Sequence, residues 1–116
     1  MVKPCGALRG SGLLDWVVQR VSAVVLAVYL FAGIAALAMH QAEPLSYSMW
    51  ASWFEPVWMK VATLISVAAL CVHAWIGMWS VATDYLHGAL RCLFLGATAV
   101  GLMVCLGWGV VILWGL

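Results

Sequence analysis

Three long windows without a formal charge constrain this chain more than any other feature of its sequence. They run from Val21 to Ala42, from Val61 to Thr83 and from Cys92 to Leu116. Each is longer than the about 20 apolar residues that an α-helix needs to cross roughly 30 Å of hydrocarbon. Only 8% of the 116 residues are charged and 67% are hydrophobic, whereas soluble domains carry about 25% charged residues. A soluble globule of this size is therefore excluded, because it has too much surface to hide so much apolar side chain.

An α-helix suits each window, because it satisfies its own backbone hydrogen bonds inside the bilayer. We predict an all-α membrane protein that forms a single domain over 1–116, with three transmembrane helices at about 14–40, 57–83 and 92–115. The first window follows basic residues and contains an Ala-Leu-Ala sequence at 36–38, as a cleavable secretory signal does. Signal h-regions span about 7–15 residues, however, so we expect this longer segment to be a retained helix.

The distribution of positive charge predicts the orientation of the three helices. With three spans, the N-terminal arm and the second loop lie on one side of the membrane, and that side holds four of the five Lys and Arg residues: Lys3, Arg9, Arg20 and Arg91. The other side holds Lys60. Because cytoplasmic flanks carry the excess of Lys and Arg, we expect a cytoplasmic N-terminus and a C-terminus outside. The net charge of +1 gives no sign of a nucleic-acid partner, and none is expected.

The four cysteines, Cys5, Cys71, Cys92 and Cys105, show no C-x-x-C spacing. Three of them lie in apolar runs, so we expect small buried hydrophobic residues and neither disulfides nor a metal site.

The first loop, from Gln41 to Lys60, is rich in proline and tryptophan. A short amphipathic helix over Ser46–Phe54 is expected to lie on the outer surface, with His40 before it as a solvated terminal residue. The aromatic side chains of this loop suit an interfacial belt, with a quinone cage as the less favoured interpretation. They belong to Trp50, Trp53, Phe54 and Trp58.

His73 lies inside the second window, where an ionisable residue suggests a functional site. On an ideal helix, Gly77, Ser80 and Asp84 fall within roughly 40° of it, so these four residues share a face. A glycine one turn away clears space beside the imidazole, and imidazole is a usual axial ligand of haem iron. The other interpretation is a neutral histidine that is hydrogen-bonded to a neighbouring helix, and the residues alone leave both open.

Asp84 and Tyr85 close the second window at the predicted cytoplasmic surface. The tyrosine hydroxyl can donate to a quinone carbonyl, and the carboxylate can orient a cation or relay protons. The residues by themselves slightly favour the other interpretation, in which Tyr85 is an interfacial anchor and Asp84 a helix-end residue.

In the first helix, Asp15, Gln19 and Ser22 lie three or four residues apart and share a face. Arg20 falls beside that face at the boundary between lipid and water. It suits either a topology anchor whose side chain extends to the membrane surface or a cation for a buried anion such as a haem propionate.

The run His73-Ala74-Trp75-Ile76-Gly77-Met78-Trp79, followed by Thr83-Asp84-Tyr85, resembles the smaller hydrophobic anchor subunit of bacterial succinate dehydrogenase, the D-type cytochrome b subunit. The similarity covers nearly the whole chain and includes the three spans, the Asp15…Arg20 entry to the first helix and the apolar ending at 110–115.

The resemblance implies a non-catalytic subunit of a complex in the bacterial inner membrane. In that family a flavoprotein subunit with FAD oxidises succinate, and an iron-sulfur subunit passes electrons to ubiquinone. Two hydrophobic anchor subunits hold haem b between them. His73 matches the axial ligand that this subunit supplies, Tyr85 and Asp84 match the quinone site, and Arg20 is a candidate propionate contact.

One position departs from the family pattern. Enteric-type members have a histidine just before the aspartate of the first helix, where this chain has Leu14, so polar support for the haem from this arm is in question. A fumarate reductase anchor, or a structural assembly protein without a redox role, remains the alternative interpretation.

Overall fold

The computed structural model describes residues 12–40 and 44–115, and over these residues the secondary structure is entirely helical. Helix α1 spans Gly12–Met39, the short α2 spans Tyr47–Trp53, α3 spans Val57–Tyr85 and α4 spans Gly88–Trp114. The three long helices are each apolar enough to cross a membrane. The predicted all-α fold class with three transmembrane helices is thereby confirmed. The predictions that rest on Lys3, Cys5 and Arg9 lie outside the described residues.

Helix α3 is the central element, because both α1 and α4 pack along it. Successive helices run antiparallel, so the molecule has one end that carries α2 and an opposite end where α3 turns into α4. We call these the α2 end and the turn end. A small core at the turn end consists of three buried side chains with larger apolar neighbours around them: Trp79, Ala82 and Leu95, with Trp75, Leu86 and Phe94 against them.

The connection between α3 and α4 is shorter than the eight-residue loop expected over 84–91. The chain leaves α3 after Tyr85 and enters α4 at Gly88, so two residues separate the helices. Gly88 has a φ of 59°, a left-handed conformation that glycine adopts without the steric penalty of a Cβ atom. With the reversal at this glycine, Asp84, Tyr85 and Arg91 are helical residues, although they lie outside the predicted bounds of 57–83 and 92–115.

The predicted amphipathic segment before α3 forms helix α2. Ser46 is its N-cap, and its hydroxyl accepts a hydrogen bond from the backbone N–H of Met49 at 3.3 Å. Such a side-chain cap satisfies a backbone donor that has no partner within the first turn of a helix. Helix α3 then begins at Val57, with Pro56 as its N-cap.

The aromatic side chains of α2 line a cavity at the α2 end of the molecule. The ring centroids of Trp50 and Trp53 are 5.8 Å apart, and those of Trp50 and Phe54 are 5.0 Å apart. The cavity has a volume of about 780 Å³ and is bounded by α1, α2 and the first half of α3. The expectation of a solvated His40 is wrong, because its ring packs edge-on against Trp53 and its Nε2 is buried without a hydrogen-bond partner among the described residues.

The described cysteines, Cys71, Cys92 and Cys105, are free thiols. The expectation that they are buried is wrong for Cys92 and Cys105, whose side chains are exposed on the chain. They lie on apolar surfaces of α4 that in a membrane meet lipid or other helices. Cys71 is half-buried, and its thiol lies 3.6 Å from the carbonyl oxygen of Leu102 on α4.

Candidate functional site

His73 lies near the middle of α3 and is half-buried against α1. Its Nδ1 atom is 3.0 Å from the hydroxyl oxygen of Ser22 on α1, a hydrogen bond between two different helices. Ser22 is one of two buried polar side chains in the described part of the chain and is 5% exposed. The sequence left two interpretations of His73 open, a hydrogen bond to a neighbouring helix and a haem ligand. The hydrogen bond to a neighbouring helix is present, and it uses one of the two ring nitrogens.

The direction of the hydrogen bonds assigns the histidine tautomer. The hydroxyl of Ser22 donates to the backbone carbonyl oxygen of Gln19 at 2.9 Å. A serine hydroxyl has a single proton, so towards His73 its oxygen acts as acceptor, and Nδ1 then carries the ring hydrogen. A neutral imidazole with a proton on Nδ1 has a lone pair on Nε2. No residue in the described part of the chain hydrogen-bonds to that Nε2 atom.

The surroundings one turn beyond the Ser22–His73 pair are open on α3 and polar on α1. A Cβ atom added to Gly77 would meet no heavy atom within 4 Å, as expected of a glycine that clears space beside the imidazole. On α1, the side-chain oxygen Oε1 of Gln19 is buried and has no hydrogen-bond partner among the described residues. Buried amide oxygens are normally satisfied, so this part of the α1–α3 interface fits a group from outside the chain.

A second polar contact joins the same two helices closer to the α2 end. The hydroxyl oxygen of Tyr29 on α1 lies 2.7 Å from Oγ1 of Thr63 on α3. Together with the Ser22–His73 hydrogen bond it fixes the antiparallel register of α1 and α3. Both partners of this contact satisfy each other, in contrast to His73, which keeps one ring nitrogen without a partner in the described chain.

Asp84 and Tyr85 are the last two residues of α3, and both are exposed. Tyr85 is 76% exposed, and no described residue forms a hydrogen bond with either side chain. Asp84 lies eleven residues after His73, or roughly 16 Å along a helix that rises 1.5 Å per residue. The face predicted from His73 to Asp84 thus lies on one continuous helix. Its two ends are separate candidate sites, since His73 is half-buried against α1 whereas Asp84 and Tyr85 are exposed.

Arg91 stabilises the helix end that carries Asp84 and Tyr85. Its Nε donates to the carbonyl oxygen of Leu86 at 3.0 Å, and its Nη2 donates to that of Thr83 at 3.4 Å. Carbonyl groups in the last turn of a helix lack intrahelical donors, and a cation there also compensates the negative end of the helix dipole. The sequence predicts Arg91 only as a topology charge, since the predicted end of the second helix at residue 83 lies eight residues before it.

Arg20 is exposed, and its guanidinium carbon lies 5.4 Å from the centroid of the Trp16 ring on the same helix. Such a distance is within the range of a cation–π interaction. The anchor and propionate interpretations of Arg20 both stay predictions.

Ser22 is the functional candidate that sequence reasoning missed. Its place on the shared face of Asp15 and Gln19 was visible, but the partner across the interface was not. Over the described residues, no group of three or more His, Cys, Asp and Glu side chains is arranged to hold a metal ion. The donor that this site offers is a single imidazole nitrogen, which suits a metal whose remaining ligands come from a macrocycle and a partner.

Comparison with known proteins finds a family and a relative that match most of the chain. The family described as succinate dehydrogenase/fumarate reductase transmembrane subunit matches residues 6–111. The succinate dehydrogenase hydrophobic membrane anchor subunit of Coxiella burnetii (strain RSA 493 / Nine Mile phase I) is 37% identical over 111 residues, with 89% of each chain covered. The family match includes all the candidate residues from Ser22 to Arg91.

Proposed function

The chain belongs to the family of succinate dehydrogenase/fumarate reductase transmembrane subunits, and on that premise we propose that it binds haem b through His73 and ubiquinone at Tyr85 and Asp84. It is a multi-pass membrane-anchor subunit with three apolar helices. In the proposed assembly it joins a second hydrophobic anchor subunit, an iron-sulfur subunit and a flavoprotein subunit with FAD.

The observation that carries the proposal is that Nε2 of His73 has no hydrogen-bond partner in the described part of the chain. Its other ring nitrogen is held by Ser22 at 3.0 Å, so the lone pair available for a metal lies on Nε2. Histidine ligands of metals typically donate their second ring N–H to an oxygen acceptor in this manner. A histidine that only bridged two helices would not need an unpartnered nitrogen in an apolar environment, where an unsatisfied polar atom costs free energy.

The residues around His73 also fit a flat macrocycle. Gly77 leaves room beside the imidazole, since an added Cβ would meet nothing within 4 Å, and Gln19, whose buried Oε1 has no partner among the described residues, lies on α1 three residues before Ser22. When bound, haem b supplies reversible one-electron storage at its iron. The second axial histidine is proposed to come from the other anchor subunit, because His40 lies beyond the end of α1 and His87 is the N-cap of α4.

The quinone site is proposed at the turn end of the molecule. The Tyr85 hydroxyl is exposed and without a partner in the described chain, so it is available to donate to a quinone carbonyl. Asp84 beside it is equally exposed and can relay a proton from water. Arg91 keeps both residues in place by holding the carbonyl groups of Thr83 and Leu86. An aromatic ring and a carboxylate at a membrane surface suit a ligand with a polar head and an apolar tail.

The charge distribution supports the orientation of this assembly. We propose that the turn end faces the cytoplasm, with the N-terminus on the same side and the C-terminus in the periplasm, in the inner membrane of a bacterium. The iron-sulfur subunit then docks close to Tyr85. For Arg20 we retain a propionate contact as a proposal, with Trp16 as its observed neighbour. The name of the Coxiella burnetii relative supports succinate oxidation over the fumarate reductase alternative, which the family also includes.

The experiment that tests the proposed function is a reduced-minus-oxidised absorption spectrum of the purified complex. In His73→Ala the b-type band is expected to disappear, because the axial nitrogen is gone, while succinate oxidation with an artificial dye acceptor continues. His87→Ala is the control, since His87 is an exposed histidine at the N-cap of α4, away from the middle of α3. A b-type band of normal height in His73→Ala would refute haem ligation by this residue.

A further inference from the structure

We propose that Ser22 is the positioning residue of the haem ligand, and that its hydroxyl sets the tautomer, the ring orientation and the donor strength of His73. The inference rests on the proposed function and deepens it. Its basis is a hydrogen bond between residues 51 positions apart in sequence, with the Ser22 oxygen 3.0 Å from Nδ1. No part of the family resemblance assigned a role to Ser22.

Three groups form a directed chain of hydrogen bonds across the α1–α3 interface. The Gln19 carbonyl oxygen accepts from the Ser22 hydroxyl at 2.9 Å, and the Ser22 oxygen in turn accepts from Nδ1–H of His73. A carbonyl can only accept, so the direction of the chain is fixed from the ring towards the backbone. Hydrogen bonds in such a chain polarise one another, and the backbone carbonyl therefore strengthens the acceptor that faces the imidazole.

Ser66 shows what a buried serine does in this fold without such a role. It is 6% exposed, close to the 5% of Ser22, but its hydroxyl donates to the carbonyl oxygen of Ala62 four residues earlier in its own helix. This is the ordinary backbone contact of a serine in a helix. Ser22 makes the equivalent contact to Gln19 and additionally reaches a side chain on another helix. Ser66 is thus a control of the same residue type and burial.

The hydrogen bond to Nδ1 has consequences at the opposite nitrogen. Withdrawal of the ring proton towards Ser22 makes Nε2 a stronger donor, and the bond holds the ring plane at one angle. Without the hydroxyl, the ring N–H is unsatisfied among apolar side chains, and the ring can rotate or exchange tautomers. A stronger nitrogen donor favours ferric over ferrous iron, so removal of the Ser22 hydroxyl should shift the haem midpoint potential upwards.

The test uses the whole complex with Ser22→Ala, Ser22→Thr, Ser22→Val and Ser66→Ala. Two readouts are independent of catalytic turnover: the redox midpoint of the b-type band, and the transfer of haem from the oxidised complex to added apomyoglobin. Ser22→Ala and Ser22→Val should raise the midpoint and weaken haem retention about ten- to a hundredfold, the usual effect of losing such a supporting partner. Ser22→Thr keeps a hydroxyl and should remain close to wild type, as should Ser66→Ala.

The Thr and Val variants have nearly the same shape and differ in the hydroxyl, so they separate hydrogen bonding from packing. Equal effects of Ser22→Thr and Ser22→Val would overturn the inference, because the role would then be steric. Unchanged midpoint and haem retention in Ser22→Ala would also overturn it, even if His73→Ala lost its haem, and the proposed function would stand. Retention of the b-type band in His73→Ala would instead refute the proposed function itself.

Discussion

The middle of α3 and its C-terminal end both carry polar side chains that are candidates for function. Only the side chain in the middle, His73, is hydrogen-bonded to a second helix. His73 is half-buried and bound to Ser22 of α1. Asp84 and Tyr85 are exposed, and neither has a hydrogen-bond partner in the described chain. Arg91 donates to the backbone carbonyl oxygens of Thr83 and Leu86 at that end.

This difference indicates how the two sites are completed. A metal ligand needs a defined ring angle and tautomer, and the chain provides both within its own α1–α3 interface. A quinone must enter and leave, and the proposed quinone site is open on this chain, where neighbouring subunits and lipid are proposed to complete it. Substitutions near His73 should therefore change a bound group, whereas substitutions at the turn end should change a rate.

The largest effect is expected from filling the space beside the imidazole. In Gly77→Leu the new side chain meets no neighbour of its own chain at its Cβ, so the helices should still assemble, but the proposed haem position is blocked. The complex should lose most of its haem b, measured as the ratio of haem to flavin after purification. Gly101→Leu on α4, where an added Cβ also meets nothing within 4 Å, is the control and should keep its haem. A normal ratio in Gly77→Leu would place the haem elsewhere.

The next effect is a loss of quinone reduction in Tyr85→Phe. The substitution keeps the ring and removes the hydroxyl donor, which should cost about 1–3 kcal/mol of binding to the quinone, or roughly ten- to a hundredfold in rate. Haem content and dye-linked succinate oxidation should stay near wild type, so both activities are measured on the same membranes. If quinone reduction is also unchanged, Tyr85 is an interfacial anchor.

The smallest effect is expected at the second polar contact between α1 and α3. Tyr29→Phe removes the hydrogen bond to Thr63 and should cost about 0.6 kcal/mol, the average for such contacts between membrane helices. The thermal stability of the purified complex should fall slightly, with no change in the haem spectrum. Thr63→Val provides a double-mutant cycle in which the two losses do not add. A shift of the haem midpoint potential in Tyr29→Phe would mean that loss of any polar contact between α1 and α3 affects the haem, and not only loss of the Ser22–His73 hydrogen bond.

The number and approximate positions of the three long helices could be predicted from the sequence, because they follow from the lengths of the uncharged windows. Helix α3 was expected at 57–83 and spans Val57–Tyr85. The first residue of α4 was missed by four positions, since the left-handed conformation of Gly88 permits a turn of two residues and is not specified by hydropathy. The short helix α2 was found from its proline and aromatic pattern.

Contacts between elements could not be predicted from periodicity, which places residues on a face without naming the neighbour. Periodicity places Gln19 and Ser22 on one face, but the pairing of Ser22 with His73 depends on the axial register of α1 against α3. The aromatic packing of His40 against Trp53 was likewise missed, because a histidine at a helix end is usually solvated. The roles of Asp84 and Tyr85 remain predictions, since neither exposed side chain forms a hydrogen bond with a described residue.

The central claim is that Nε2 of His73 is an axial ligand of haem b, and chemical complementation tests it most directly. His73→Gly removes the imidazole and leaves a space of its size, which free imidazole can enter. The oxidised complex should lose the low-spin, six-coordinate haem spectrum in His73→Gly and regain it when millimolar imidazole is added. A six-coordinate spectrum in His73→Gly without imidazole, identical to that of the wild-type complex, would contradict the account.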